Sequence, residues 1–262
     1  MSCNQTARPR AGLVLVLAAV GLASCGERTR PPLAAAEKSD SEATYLAPPA
    51  VRSVSGGAAG LALAGNAAPD STVRLATPTG EAWTTKADAQ GGWRAVLPAA
   101  AQPRLLGLSM LVAGRPVQAQ GYVLVTPAGE AAQLRAGGGA LRLGPPGPPR
   151  VSAFDFDQEG GAAVSGRAPA GAAVSVRLDG RPIAEGRADE AGRFSVALGQ
   201  PIAPGAHELE ISGDSFESST TIETSVAAPL AGAPFRTAAT STGLRLDWLT
   251  PGGGVQSTLL VN

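Results

Sequence analysis

His207 is the single imidazole in a chain of 262 residues. Any histidine-dependent catalysis must run through it. A serine–histidine–aspartate relay also needs an orienting acid and a nucleophile on a strained turn, and the chain offers no Gly-x-Ser-x-Gly stretch. His207 leads into the alternating stretch Leu209, Ile211 and reads as structural. Asp155, Asp157 and Glu159 alternate, so on a strand they would share one face and could hold calcium through carboxylate oxygens. A solvated strand edge, guarded by repelling carboxylates, explains the same alternation. Asp88 and Asp189 each precede a tight turn and are expected to bond to its backbone. Trp83 could stack on a sugar ring or sit singly on the surface, whereas Trp93 and Phe194 read as core. The triple glycines Gly137–Gly139 and Gly252–Gly254 lack the lysine and the strand–helix context of a phosphate cradle. One histidine and two cysteines cannot build a usual zinc or haem site, so no cofactor and no metal are expected. With 21 basic against 21 acidic residues, the chain lacks the charge footprint of a nucleic-acid binder.

The first residues read as an export signal. Arg8 and Arg10 form a basic start, and Ala11 to Ala23 is an apolar run of about 13 residues. Such a run is too short to cross a hydrocarbon core of about 30 Å, which needs about 20 residues. It ends in Leu22-Ala23-Ser24-Cys25. These four residues resemble the lipobox of bacterial lipoproteins. The resemblance implies cleavage before Cys25 and a diacylglyceryl group on its thiol. Several acyl chains at about 0.8 kcal/mol per buried CH2 make a firm membrane anchor. Gly26 stands where an aspartate would resemble an inner-membrane retention signal, which points to the outer membrane. Cys3 then leaves with the leader and Cys25 is lipidated, so the exported part has no disulfide available and must rely on burial.

Beyond the leader the chain divides into segments. Residues 1–24 are the leader and 25–47, poor in large apolar residues, a disordered tether. After the tether the sequence repeats itself at a spacing of 101 positions. Gly65 falls on Gly166, Val73 on Val174, Asp88 on Asp189, Gly91 on Gly192, Trp93 on Phe194 and Leu97 on Leu198. Each copy reads as strands and turns. Val174, Val176 and Leu178 alternate with polar residues, Asp179-Gly180 signals a hairpin, and Phe194, Val196 and Leu198 alternate again. Turn signals every 8 to 12 residues suit a β-sandwich. The expected fold is all-β, with two tandem sandwiches at 48–144 and 150–228, each followed by an extra hairpin. Gly and Pro in Thr-Pro-x-Gly place these hairpins at about Gly121–Arg135 and about Leu244–Val261, the second within a C-terminal extension at 229–262. Leu244, Leu246 and Trp248 share a face that is expected to pack on the second sandwich and cover a free strand edge. Residues 145–149 form a stiff Pro/Gly linker.

The second copy resembles bacterial immunoglobulin-like domains. The residues that carry the resemblance are Ala163-Val-Ser-Gly-Arg-Ala-Pro-Ala-Gly-Ala-Ala-Val-Ser-Val, then Ala188-Asp-Glu-Ala-Gly-Arg-Phe, then Pro204-Gly-Ala-His-Glu-Leu. The first copy departs from the pattern at Pro69-Asp70-Ser71 and at Arg104-Leu105-Leu106. The resemblance implies immunoglobulin-like sandwiches over roughly residues 48–226, and it specifies a fold more closely than a function. The resulting expectation is a non-enzymatic cell-envelope lipoprotein, membrane-bound through its lipid, that recognises a protein partner or acts as a spacer. The alternative is a binder of glycan or peptidoglycan.

Overall fold

The computed structural model describes residues 46–57, 60–145 and 147–262. The leader, Cys25 and nearly all of the tether lie outside the described residues. Within them the chain forms nineteen strands.

The first repeat contributes β1 (Ala50–Gly57), β2 (Gly60–Asn66), β3 (Thr72–Ala76), β4 (Ala82–Lys86), β5 (Gly92–Leu97), β6 (Arg104–Val112) and β7 (Arg115–Val125). They make two facing sheets, β1-β2-β5 and β4-β3-β6-β7. Alternation along each strand decides which residues meet between them. Leu63, Val73, Leu75, Leu97, Leu106 and Met110 point inward and are fully buried. The second repeat uses the same plan with β10 (Arg150–Asp157), β11 (Ala162–Arg167), β12 (Ala173–Leu178), β13 (Arg181–Arg187), β14 (Arg193–Leu198), β15 (Gly205–Gly213) and β16 (Phe216–Thr224). Its core holds Phe154, Val164, Val176, Phe194, Leu209, Ile211 and Ile222.

The spacing of 101 carries over to the backbone. β5 maps onto β14 and β6 onto β15 end to end. At the first strand the offset is 100 rather than 101: the bulge between Val51 and Ser53 on β1 reappears between Val151 and Ala153 on β10. Gly65 and Gly166 are constrained in the same way. A Cβ on either would strike the ring opposite, Trp93 or Phe194, and the carbonyl of Ala50 or Arg150. Each glycine is the space that its aromatic partner fills.

One turn design recurs six times, at Thr77, Asp88, Thr126, Asp157, Asp189 and Thr250. In each, the amide of the first residue donates to the carbonyl four positions on, at 2.8 to 3.0 Å. The residue three positions on is a glycine with positive φ: Gly80, Gly91, Gly129, Gly160, Gly192 and Gly253. In the three aspartate turns a carboxylate oxygen accepts two amides. Asp88 takes those of Gln90 and Gly92, Asp157 those of Glu159 and Gly161, and Asp189 those of Ala191 and Arg193. The side chain thus serves donors that the turn would otherwise leave unpaired.

Beyond the two sandwiches, β8 (Ala131–Leu134) and β9 (Leu141–Leu143) continue the sheet of β7, while β17 (Phe235–Thr240), β18 (Gly243–Leu249) and β19 (Val255–Val261) continue that of β10. The β7–β8 and β18–β19 pairings lie where Thr-Pro-x-Gly placed hairpins. β19 pairs with β10 and so covers its edge. The apolar face of the extension, however, is not spent on the second sandwich. Leu246, Trp248 and Leu260, with Leu244 and Phe235 at its margin, pack on Leu105, Leu124, Ala132 and Leu134 of the first repeat's extended sheet. The pleat is the reason. On β19, Leu259 and Val261 face the second sandwich's core, so Leu260 must face the other way. Leu105 and Leu124 likewise oppose Leu106 and Val123. The result is a third apolar core shared by both repeats. Tyr122 meets Trp248 edge to face at 5.8 Å, and the Trp248 indole donates to Thr258 Oγ1 at 3.2 Å. Five leucines and a tryptophan are buried there. At roughly 1.5–3 kcal/mol each, their burial contributes on the order of 10 kcal/mol, enough to couple the repeats.

Candidate functional site

The sequence singled out Asp155, Asp157 and Glu159 together, and the structure separates them. β10 is an interior strand, flanked by β11 and β19, so its residues have no solvated edge. Asp155 is 3% exposed. Asp157 is committed to its own turn, and Glu159 lies exposed in that turn rather than on the strand. The expectation of a shared carboxylate face is therefore corrected. Among the described residues no group of three or more His, Cys, Asp or Glu side chains is placed to hold a metal ion.

Asp155 instead anchors the seam between the repeats. Its Oδ2 accepts the amide of Ala140 at 2.6 Å. Its Oδ1 accepts the hydroxyl of Thr258, directly opposite on β19, at 2.6 Å and Nε2 of Gln256 at 3.1 Å. Gln256 also accepts the amide of Gly137 through Oε1 at 3.0 Å, and its Nε2 lies 3.2 Å from the carbonyl of Arg135. The segment between β8 and β9 is thereby tied to β10 and β19. Gly139 rests on Ser165 and Ser195 so closely that a Cβ would approach the Ser195 hydroxyl to 2.6 Å. Burial pushes the Asp155 carboxyl up to about 6, with Thr258, Ala140 and Gln256 holding it back from a larger rise.

A second polar cluster sits under the extension. Asp247 accepts Ser257 Oγ at 2.7 Å, Arg245 Nε at 2.8 Å and Arg236 Nη2 at 2.5 Å. Burial alone would raise its carboxyl, but Ser257, Arg245 and Arg236 outweigh that and hold it below the usual range. Arg245 also lies over the ring of Phe156 at 5.5 Å. Neither Gln256 nor Asp247 was singled out from the sequence. Asp247 alternates with the apolar Leu246 and Trp248, so the sequence pattern reads it as solvent-facing and gives no signal of its burial.

His207 lies on β15 and is fixed at both nitrogens. Nδ1 donates to Asp179 Oδ2 and Nε2 to the carbonyl of Ala203, each at 2.8 Å. Both partners favour a protonated ring nitrogen, and the Asp179 hydrogen bond raises the His207 pKa against the opposing effect of burial. An imidazole so committed has no free nitrogen to act as a general base. Trp83 is half-buried against the first core, with the guanidinium of Arg104 over its ring at 5.3 Å. Trp93 and Phe194 are core, as read from the sequence. Cys25, the expected lipidation site, lies outside the described residues. No helix of the described residues is long and apolar enough to cross a membrane.

This arrangement can be set against known proteins. Residues 146–229, the second sandwich with its flanks, match the family model of the bacterial Ig domain. The second repeat is an Ig-like sandwich. The first, built on the same strand plan at the same spacing, is its structural counterpart. Solved structures similar to the chain include a biofilm associated protein, BSP domain, at 14% identity and a TM-score of 0.24. The match covers 69% of this chain and 30% of that one. Another is the central fibronectin-III array of RIM-binding protein, at 10% identity and a TM-score of 0.26, covering 82% of this chain and 88% of that one. This chain thus spans under a third of the biofilm-associated chain's length. No curated protein matches the sequence, and no enzyme family is indicated.

Proposed function

We propose that this chain is a non-enzymatic lipoprotein of the bacterial cell envelope, in which a coupled pair of Ig-like sandwiches serves protein recognition or spacing. The observation that carries the reading is the third apolar core. A flexible tandem needs only a linker, whereas this chain spends a five-strand extension on fastening one repeat to the other. A fixed relative placement is useful to a spacer or a two-module binding surface. The leader supplies the rest: Leu22-Ala23-Ser24-Cys25 would place a lipid on Cys25, and the segment from Gly26 to Ala47 would hold the sandwiches off the membrane.

In vivo crosslinking of the mature protein followed by mass spectrometry tests the recognition reading. A reproducible protein partner is expected. Recovery of murein fragments alone, with saturable retention on purified sacculi, would replace it with glycan binding. Fractionation tests the anchor: Cys25→Ala should move the protein out of the membrane fraction, and retention there would remove the lipid from the account.

A further inference from the structure

An arginine-lined cleft at the seam has no role in the reading above. On the outer face of the second repeat's sheet, Arg167 of β11 stands directly opposite Arg193 of β14 on one side and Arg150 of β10 on the other. Like charges in directly opposed cross-strand positions repel. Arg193 is compensated, because its Nε and Nη2 both reach Asp189 Oδ2, at 3.1 and 2.9 Å. Among the described residues, Arg150 and Arg167 have no ion-pair partner. Arg167 donates to the carbonyl of Gly144 at 3.0 Å, and the Nε of Arg150 is buried with no hydrogen-bond partner at all. Both arginines line a cleft of about 630 Å3, with Ser152 and with Arg142 of β9. The acidic residue of that lining, Glu130, is already taken by Arg142.

We infer that this cleft binds a phosphoryl group. Two neighbouring guanidinium groups leave two positive charges to be met. A dianionic phosphoryl group matches both, where a carboxylate matches one. Its terminal oxygens can accept the parallel N–H pairs that arginine presents. The occupant would also relieve the repulsion between Arg150 and Arg167. The inference stands apart from the envelope reading, since it concerns the seam and not the anchor.

The test is titration of the full chain with inorganic phosphate, followed by calorimetry and by the thermal midpoint. Saturable binding at one site is expected, weakened at least about tenfold by Arg150→Gln or Arg167→Gln, and unchanged by Arg74→Gln on the exposed face of β3. Each midpoint is referred to the same protein in phosphate-free buffer, because Arg167→Gln removes both a repulsion and the hydrogen bond to Gly144. Phosphate should raise the midpoint of the parent and leave that of the variant where it was. Glycerol 3-phosphate binding about tenfold tighter than inorganic phosphate would identify an esterified source such as a lipid headgroup, and equal binding the free ion. The inference fails if phosphate does not saturate below about 10 mM. It fails equally if acetate binds as tightly, or if Arg74→Gln weakens binding as much as the cleft variants.

Discussion

Trp93 and Phe194 hold equivalent places above Gly65 and Gly166, yet only the tryptophan brings an N–H, and that N–H is buried without a partner. The sister repeat shows that a phenyl ring suffices there. Trp93→Phe is therefore expected to cost less than about 1 kcal/mol or to stabilise, since it removes an orphaned donor, whereas Trp93→Ala should cost about 3–5 kcal/mol. Chemical denaturation of both variants checks the contrast. Asp155 supplies a pH dependence of definite sign. Its folded-state pKa of about 6 lies above the ordinary value of 3.8, so the native state binds the proton more tightly than the unfolded chain. Its contribution is fully present below pH 3.8 and is lost as pH rises through 6. Stability should fall between about pH 4 and 6.5, by an amount on the order of 3 kcal/mol from this group. Unfolding free energies measured across that range should lose this slope in Asp155→Asn. Asp155 and Asp157 look interchangeable in the sequence. Only the neighbours on β19 and the β8–β9 segment, more than a hundred and about fifteen positions away, make one a buried anchor and leave the other a turn residue.

The six glycine-closed turns repeat a local device, and here the sequence was most legible. Asp88, Asp189 and the Thr-Pro-x-Gly stretches announce their turns within five residues, because the acceptor, the donor and the positive-φ glycine all belong to the same short segment. Asp189→Ala should leave the amides of Ala191 and Arg193 without their acceptor and also free the Arg193 guanidinium. A loss of about 1–2 kcal/mol is expected, and Asp189→Asn should recover part of it because Asn keeps an acceptor oxygen. Thermal melts of the pair settle the comparison. The β6–β7 hairpin escaped the sequence reading for an equally local reason. Its loop is Ala113-Gly114, with both residues at positive φ, and alanine gives no signal for that conformation.

The third core is a property of both repeats together, and it was the least legible feature. Alternation identifies a strand with one buried face. Where both faces are buried, as at Leu105-Leu106 and Leu259-Leu260-Val261, the pattern becomes a continuous apolar run that does not say which neighbour lies on which side. The face of Leu244, Leu246 and Trp248 accordingly reads as a cover for the second sandwich and in the structure packs on the first repeat. Trp248→Ala should empty the centre of this core and cost about 3–5 kcal/mol in the coupling between repeats. Calorimetry should then resolve the single transition expected of the parent into two, one for each sandwich. A single transition persisting in the variant would mean that the repeats are coupled elsewhere.

The position of β19 also has a consequence for assembly. It is the strand that completes β10, yet about a hundred residues separate the two along the chain. A chain emerging from a ribosome or an export pore delivers β10 long before its neighbour. The first repeat can close as it appears, but the second waits with one flank bare until Val255–Val261 arrives. Slowing the release of Val255–Val261 should therefore lengthen the interval in which a chaperone can bind the β10 flank.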